Sequence, residues 1–179
     1  MTGLYLAPDR YRAIARAAIN SYPKECCGLL VGRRGQGAIA AAEPDCRTVI
    51  EVVALENAWE PSLLGYTDAQ AAAEAAAENR HSDRDRYWID PADLLAVQRS
   101  ARGQGLEIIG VYHSHPDHPA VPSECDRALA WPVYSYGIVS VVQGQVVDFK
   151  SWRLNDQNQF QPEPVKMLGA SANKAPFLA

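Results

Sequence analysis

The chain has 179 residues, about one domain on a prior of roughly 150 residues each, which excludes a large multidomain machine. Hydrophobic residues make up 47% and charged residues 21% of it, so a packed core is available and wholesale disorder is excluded. Seventeen Lys and Arg against 21 Asp and Glu leave a formal net charge of −4, which argues against nucleic acid or an anionic membrane as partner, because both need concentrated positive charge.

Met1 to Arg10 carry no basic stretch, no long apolar run and no small-residue cleavage pattern, so the expected location is the cytoplasm. From Pro8 the apolar positions Tyr11, Ile14, Ala15, Ala18 and Tyr22 recur at helical spacing until Pro23 stops them. Cys26 to Gly32 reads as a buried strand running into the turn signal Arg33-Arg34-Gly35-Gln36-Gly37, with a return strand at Ala38 to Glu43. Thr48 to Leu55 is rich in β-branched residues and predicts a third strand ending near Asn57.

Residues 58–86 change in composition and read as an excursion from the core, with an Ala- and Glu-rich helix from about Thr67 to Asn79 and a charged run after it. The Ala71 to Ala77 run is interrupted by Glu74, far short of the ~18 to 20 apolar residues of a membrane span. Asp90-Pro91-Ala92-Asp93 supplies an N-cap, a proline at the first helical position and an acid in the first turn of a helix closed by Gly103 or Gly105. Leu106 to Tyr112 is a strand leading into His113-Ser114-His115-Pro116, and Ser123 to Trp131 is a short helix. Tyr136 to Val142 and Gln145 to Trp152 pair around Gln143-Gly144. Residues 1–155 form the domain, and 156–179, with Pro162, Pro164, Gly169 and Pro176, predict an irregular C-terminal tail. Four cysteines (Cys26, Cys27, Cys46, Cys125) with no CxxC are expected to be reduced.

The chemistry is concentrated between residues 113 and 126. Two histidines two apart in an extended segment project to the same side, and Asp126, one turn into the following helix, can point back at the same ion. His113, His115 and Asp126 then make three ligands, and zinc held by three side chains keeps a fourth position for water, whose pKa falls to about 7. Taken alone, His-x-His occurs by chance and Ser123-x-x-Asp126 is a helix capping box. The joint pattern of His-x-His-Pro, turn and Ser-x-x-Asp points to a metal centre. Two imidazoles and a carboxylate suit zinc without excluding iron, cobalt or manganese.

This joint pattern resembles the JAMM (MPN+) zinc metallopeptidases, whose signature is an upstream glutamate, then His-x-His-Pro, seven residues, and Ser-x-x-Asp. His113-Ser114-His115-Pro116 and Ser123-Glu124-Cys125-Asp126 match it at every defining position. Pro23 to Gly32 and Tyr87-Trp88-Ile89-Asp90-Pro91 resemble further family blocks, over roughly residues 4–152, with 58–86 as an insertion. The resemblance implies an α/β fold, a three-layer α-β-α, cytidine-deaminase-like JAMM/MPN core with a curved mixed sheet. It implies Glu25 as general acid/base, Ser123 as donor to the developing oxyanion, and zinc as cofactor. It also implies hydrolysis of a peptide or isopeptide bond after the Gly-Gly-type tail of a ubiquitin-like or sulfur-carrier protein. The alternative is a metal-free MPN-type scaffold that only binds protein partners; such scaffolds lose ligands, whereas all five residues are present here. A zinc deaminase fits worse, because His-x-His stands where that site has His-x-Glu and no CxxC follows. The oligomeric state is not readable from the sequence.

Overall fold

The computed structural model describes residues 3–35, 45–60 and 82–169. Eight strands and three helices follow in the order β1 (Gly3–Leu6), α1 (Pro8–Ser21), β2 (Cys27–Arg34), β3 (Cys46–Leu55), α2 (Pro91–Gly103), β4 (Glu107–Pro116), α3 (Glu124–Leu129), β5 (Ser135–Val142), β6 (Gln145–Leu154), β7 (Phe160–Glu163) and β8 (Val165–Met167). The expected return strand Ala38 to Glu43 and the helix from about Thr67 to Asn79 lie outside the described residues. No described helix is long and apolar enough to cross a membrane.

All eight strands join one mixed sheet in the order β7-β6-β5-β4-β2-β3-β1-β8. Successive side chains of β2 and β4 alternate between its faces, as strand geometry requires. Leu30 and Ile109 join Leu4, Leu6, Val139, Val141 and Phe149 under α1, through Ile14 and Ala18. Leu29, Val31, Ile108 and Val111 pack on the other face with Leu94, Val97 and Ala101 of α2. The three-layer α-β-α arrangement with a curved mixed sheet is therefore the observed one. The caps behave as the sequence predicts: Asp90 accepts a hydrogen bond from the Ala92 N–H (2.6 Å) and Pro91 opens α2. The β5–β6 hairpin turns through Gln143 and Gly144, both at positive φ (51° and 78°), the geometry that matches the strands' own twist.

The tail differs from expectation. Residues 160–163 and 165–167 are strands rather than irregular chain, and only Pro164 separates them although they occupy opposite edges of the sheet. The sheet curls until its edges nearly meet, and this short segment spans the gap. The Leu4 N–H donates to the Pro164 carbonyl, and the Leu168 N–H to the Leu6 carbonyl, both at 2.9 Å. Pro176 lies outside the described residues, whereas Pro162 in the edge strand β7 and Pro164 between β7 and β8 sit where an edge tolerates a missing N–H. Between them Glu163 turns inward and accepts a 2.6 Å hydrogen bond from Ser151 Oγ.

Strand ends shift more modestly. β4 runs on through His-Ser-His-Pro instead of stopping at Tyr112, because β5 pairs in parallel beside it as far as Pro116↔Val141. The motif is thus placed at the carboxyl end of a strand inside a β4–α3–β5 crossover, where open α/β sheets present their ligand sites.

Candidate metal centre

His113 and His115 project from the same side of β4, with their Nε2 atoms 3.0 Å apart. Asp126, in the first turn of α3, brings Oδ1 to 3.2 Å from His113 Nε2 and Oδ2 to 3.6 Å from His115 Nε2. Taking one ligand atom from each residue, all three lie within 4.8 Å of one another. A tetrahedral zinc about 2.0–2.1 Å from its ligands separates them by roughly 3.3 Å, so these closest approaches bracket what the ion needs. The tautomer of His115 agrees: its Nδ1 is 2.9 Å from the Pro119 carbonyl, a partner that fixes the proton there and leaves Nε2 bare, whereas His113 Nδ1 is buried without a hydrogen bond.

The surroundings hold this geometry. The loop after Pro116 is fastened by hydrogen bonds from the Asp117 N–H to the Val141 carbonyl (2.7 Å), from Ser140 Oγ to the His118 carbonyl (2.7 Å) and from Trp152 Nε1 to the Ala120 carbonyl (3.1 Å). Tyr87 stacks on the His113 ring, with centroids 4.4 Å apart and planes 23° from parallel. Burial lowers the His113 pKa, against the pull of Asp126, which keeps a neutral imidazole available as a ligand. Burial alone would raise Asp126, but His113, His115 and Ser123 outweigh it and hold its carboxyl well below the usual carboxylate range. Two imidazoles and an ionised carboxylate, all buried around one point, form the donor set expected for zinc.

Glu25 stands just before β2, beside the ligand strand because Cys27 pairs with His113 and the Cys26 N–H donates to Ser114 Oγ (2.8 Å). Its carboxyl is buried, and burial pushes it up to about 9, with Asp126 and Asp85 adding to the rise and Arg86 opposing it. Glu25, His115, His118, Ser123 and Asp126 line one cavity of about 360 Å³, together with Asp85, Arg86 and Tyr87. Ser123 caps α3: its N–H and its hydroxyl both donate to Asp126 Oδ2 (2.6 and 2.7 Å), and its Oγ accepts from the Asp126 N–H (3.1 Å). The capping box and the metal-ligand geometry therefore coexist on the same two residues. Glu124, also inside the motif, faces away and takes a forked ion pair from Arg127 (2.7 and 3.0 Å).

Glu25, His115, Ser123 and Asp126 line one cavity, and His113, fully buried, lies behind it against His115 and Asp126. Sequence reasoning missed Tyr87, Asp85 and Arg86 as walls of that cavity; the only signal was the block beginning at Tyr87. All four cysteines are free, with Cys26, Cys27 and Cys46 buried and Cys125 partly exposed.

Fold and site together define an α/β protein in which two histidines and an aspartate could hold a metal ion, with a buried glutamate carboxyl on the same cavity. The chain belongs to the prokaryotic homologues of the JAB domain, whose family model matches residues 8–155. It is 32% identical over 119 residues to a Haloferax volcanii protein named desampylase, covering 66% of this chain and 63% of that one. A Pyrococcus furiosus protein of the same name is 23% identical, over 63% of this chain and 79% of its own length. A Thermus thermophilus protein named a probable TtuB-protein conjugate cleaving protease is 40% identical over 48 residues, covering 26% of this chain and 32% of that one. Among solved structures, a Desulfitobacterium hafniense protein superposes with a TM-score of 0.67 at 25% identity, covering 92% of both chains. A Salinibacter ruber protein superposes with a TM-score of 0.61 at 27% identity, covering 98% of this chain and 97% of its own.

Proposed function

We propose that the protein is a zinc-dependent isopeptidase that hydrolyses a peptide or isopeptide bond after the C-terminal tail of a ubiquitin-like or sulfur-carrier protein. The observation that carries this reading is the grouping of His113, His115 and Asp126, of which His115 and Asp126 line the same cavity as the buried carboxyl of Glu25. The names of the Haloferax, Pyrococcus and Thermus relatives support the substrate class.

His113, His115 and Asp126 would hold the ion, which when bound supplies Lewis acidity that polarises the scissile carbonyl and makes water acidic near pH 7. Glu25 takes the proton of the attacking water and delivers it to the leaving amine, so the broken C–N bond yields a carboxylate and a protonated amine. In the metal-free chain burial holds the Glu25 carboxyl in its protonated form, and beside a bound dication it would favour the ionised form that accepts a proton. Ser123 turns its hydroxyl from Asp126 toward the carbonyl oxygen and stabilises the charge that develops there. His118 and Arg86 flank the cavity and shape what enters it.

The test is incubation of the zinc-loaded chain with a ubiquitin-like sulfur-carrier protein joined through its Gly-Gly terminus to a lysine of a reporter protein. The expected result is release of both proteins intact, abolished by a chelator and restored by zinc. Binding without cleavage at any zinc concentration would support the alternative, a scaffold of the same fold.

A further inference from the structure

Glu25 precedes β2, so the sheet does not fix its backbone. Its N–H donates instead to the Asp83 carbonyl (2.7 Å), and its carbonyl accepts from Asn57 Nδ2 (3.2 Å). Asn57 lies just past the end of β3 and is not among the residues lining the cavity. Its side-chain amide nevertheless makes four hydrogen bonds. Nδ2 also donates to the Arg86 carbonyl (2.9 Å), and Oδ1 accepts from the N–H groups of Trp59 and Trp88, both at 3.1 Å. That set uses both amide protons and both oxygen lone pairs, the full capacity of the side chain. The Ala58 N–H adds a bond to the Trp88 carbonyl (3.0 Å), so the chain leaving β3 and the chain returning to α2 are tied together at this point.

The returning segment carries much of the wall beside the metal centre. Asp83 takes the Glu25 N–H and an ion pair from Lys24 (2.6 Å), Asp85 and Arg86 line the cavity, and Tyr87 stacks on His113. One amide therefore fixes the backbone of the general base directly and, through Arg86 and Trp88, fixes the residues on either side of the ring that backs a ligand. An aspartate could not replace it: it would keep the two accepted bonds and lose both donated ones, leaving the Glu25 and Arg86 carbonyls without their partner.

We propose that Asn57 is a positioning residue for this reaction, holding Glu25 over the three-ligand centre and fastening residues 83–88 as the wall beside it. The inference rests on the reading of Glu25 as general base.

The experiment compares Asn57→Asp, Asn57→Ala and Glu25→Gln in the full chain. Amide hydrogen exchange on metal-free protein is read at Glu25 and Trp88; zinc content, kcat and KM are read on loaded protein with the Gly-Gly conjugate. Both Asn57 variants are expected to exchange at least about tenfold faster at Glu25, while amides in α1 and the β5–β6 hairpin keep wild-type protection. Zinc content should stay that of wild type, kcat should fall about 10- to 100-fold, and KM should change by less than about threefold, because misplacing a base by about 1 Å costs rate rather than affinity. Wild-type exchange at Glu25, an unchanged kcat, or loss of protection throughout the sheet would each overturn the proposal. A fully active Glu25→Gln chain would overturn the assignment of the base and this inference with it. An inactive Glu25→Gln chain beside Asn57 variants of wild-type kcat would overturn this inference alone.

Discussion

Two regions of the molecule bury polar side chains, to opposite ends. At the seam where β7 and β8 draw the sheet edges together, Arg47 donates to Ser135 Oγ (2.7 Å), Ser151 donates to Glu163 (2.6 Å) and Arg153 donates to Asp45 (2.6 Å). Each of these side chains has at least one partner within the protein, although Arg47 Nε, Arg153 Nε and Glu163 Oε1 are buried without a hydrogen bond, the last two facing each other at 4.0 Å, and the product is closure of the sheet. At the carboxyl end of β4, the lone pairs of two imidazoles and a carboxylate crowd within 4.8 Å of one another, and a further buried acid looks into the same cavity. Without an ion that arrangement is costly, since a buried charge wants a partner of opposite sign. Polar burial with partners supports the fold; polar burial converging on a cavity prepares a reaction.

The sharpest way to separate the two regions is to alter one acid at the metal centre. Glu25→Gln should keep bound zinc and lose about 10²- to 10⁴-fold in kcat; an active variant would put the proton transfer elsewhere. Ser123→Ala comes next. If its hydroxyl serves the oxyanion, kcat falls about 10²- to 10³-fold, whereas loss of the cap alone costs about 1 kcal/mol of stability and leaves the rate of the folded protein unchanged. Paired thermal melts and kinetics distinguish these results.

Much of this was legible beforehand, for local reasons. β3 and β4 announce themselves by β-branched runs, α2 by its cap, and the metal centre by a spacing that strand and helix geometry turn into proximity. What escaped depends on contacts distant in sequence. β7 and β8 exist because the curled sheet offers them two edges, and nothing near Pro162 or Pro164 signals that. Asn57 reads as a strand end, and its bonds reach 32 residues back to Glu25 and 29 forward to Arg86. Tyr87 becomes part of the site only because the chain returns to lie on His113.

Smaller effects sharpen the same contrast. Ser151→Ala at the seam leaves the buried Glu163 carboxylate without its donor and should cost about 1.5–3 kcal/mol, read as a fall of several degrees in Tm, with zinc content and kcat of the folded protein unchanged. At the metal centre stability should respond to pH instead. In metal-free protein the Glu25 carboxyl is raised from 4.5 to about 9, above its unfolded value. Its contribution is therefore complete below about pH 4.5 and is lost as pH rises toward 9. Metal-free Glu25→Gln, which stays neutral, should melt a few degrees above metal-free wild type near pH 8, with the gap closing by about pH 4.5. A gap that ignored pH would mean the Glu25 carboxyl is not desolvated.

The claim on which the rest depends is that His113, His115 and Asp126 hold an ion, and elemental analysis of the purified chain beside a His115→Ala control tests it most directly. The account predicts close to one zinc per chain in the wild type and none in the control. No metal in either, even after zinc is supplied, would contradict it and leave a binding scaffold in place of a hydrolase.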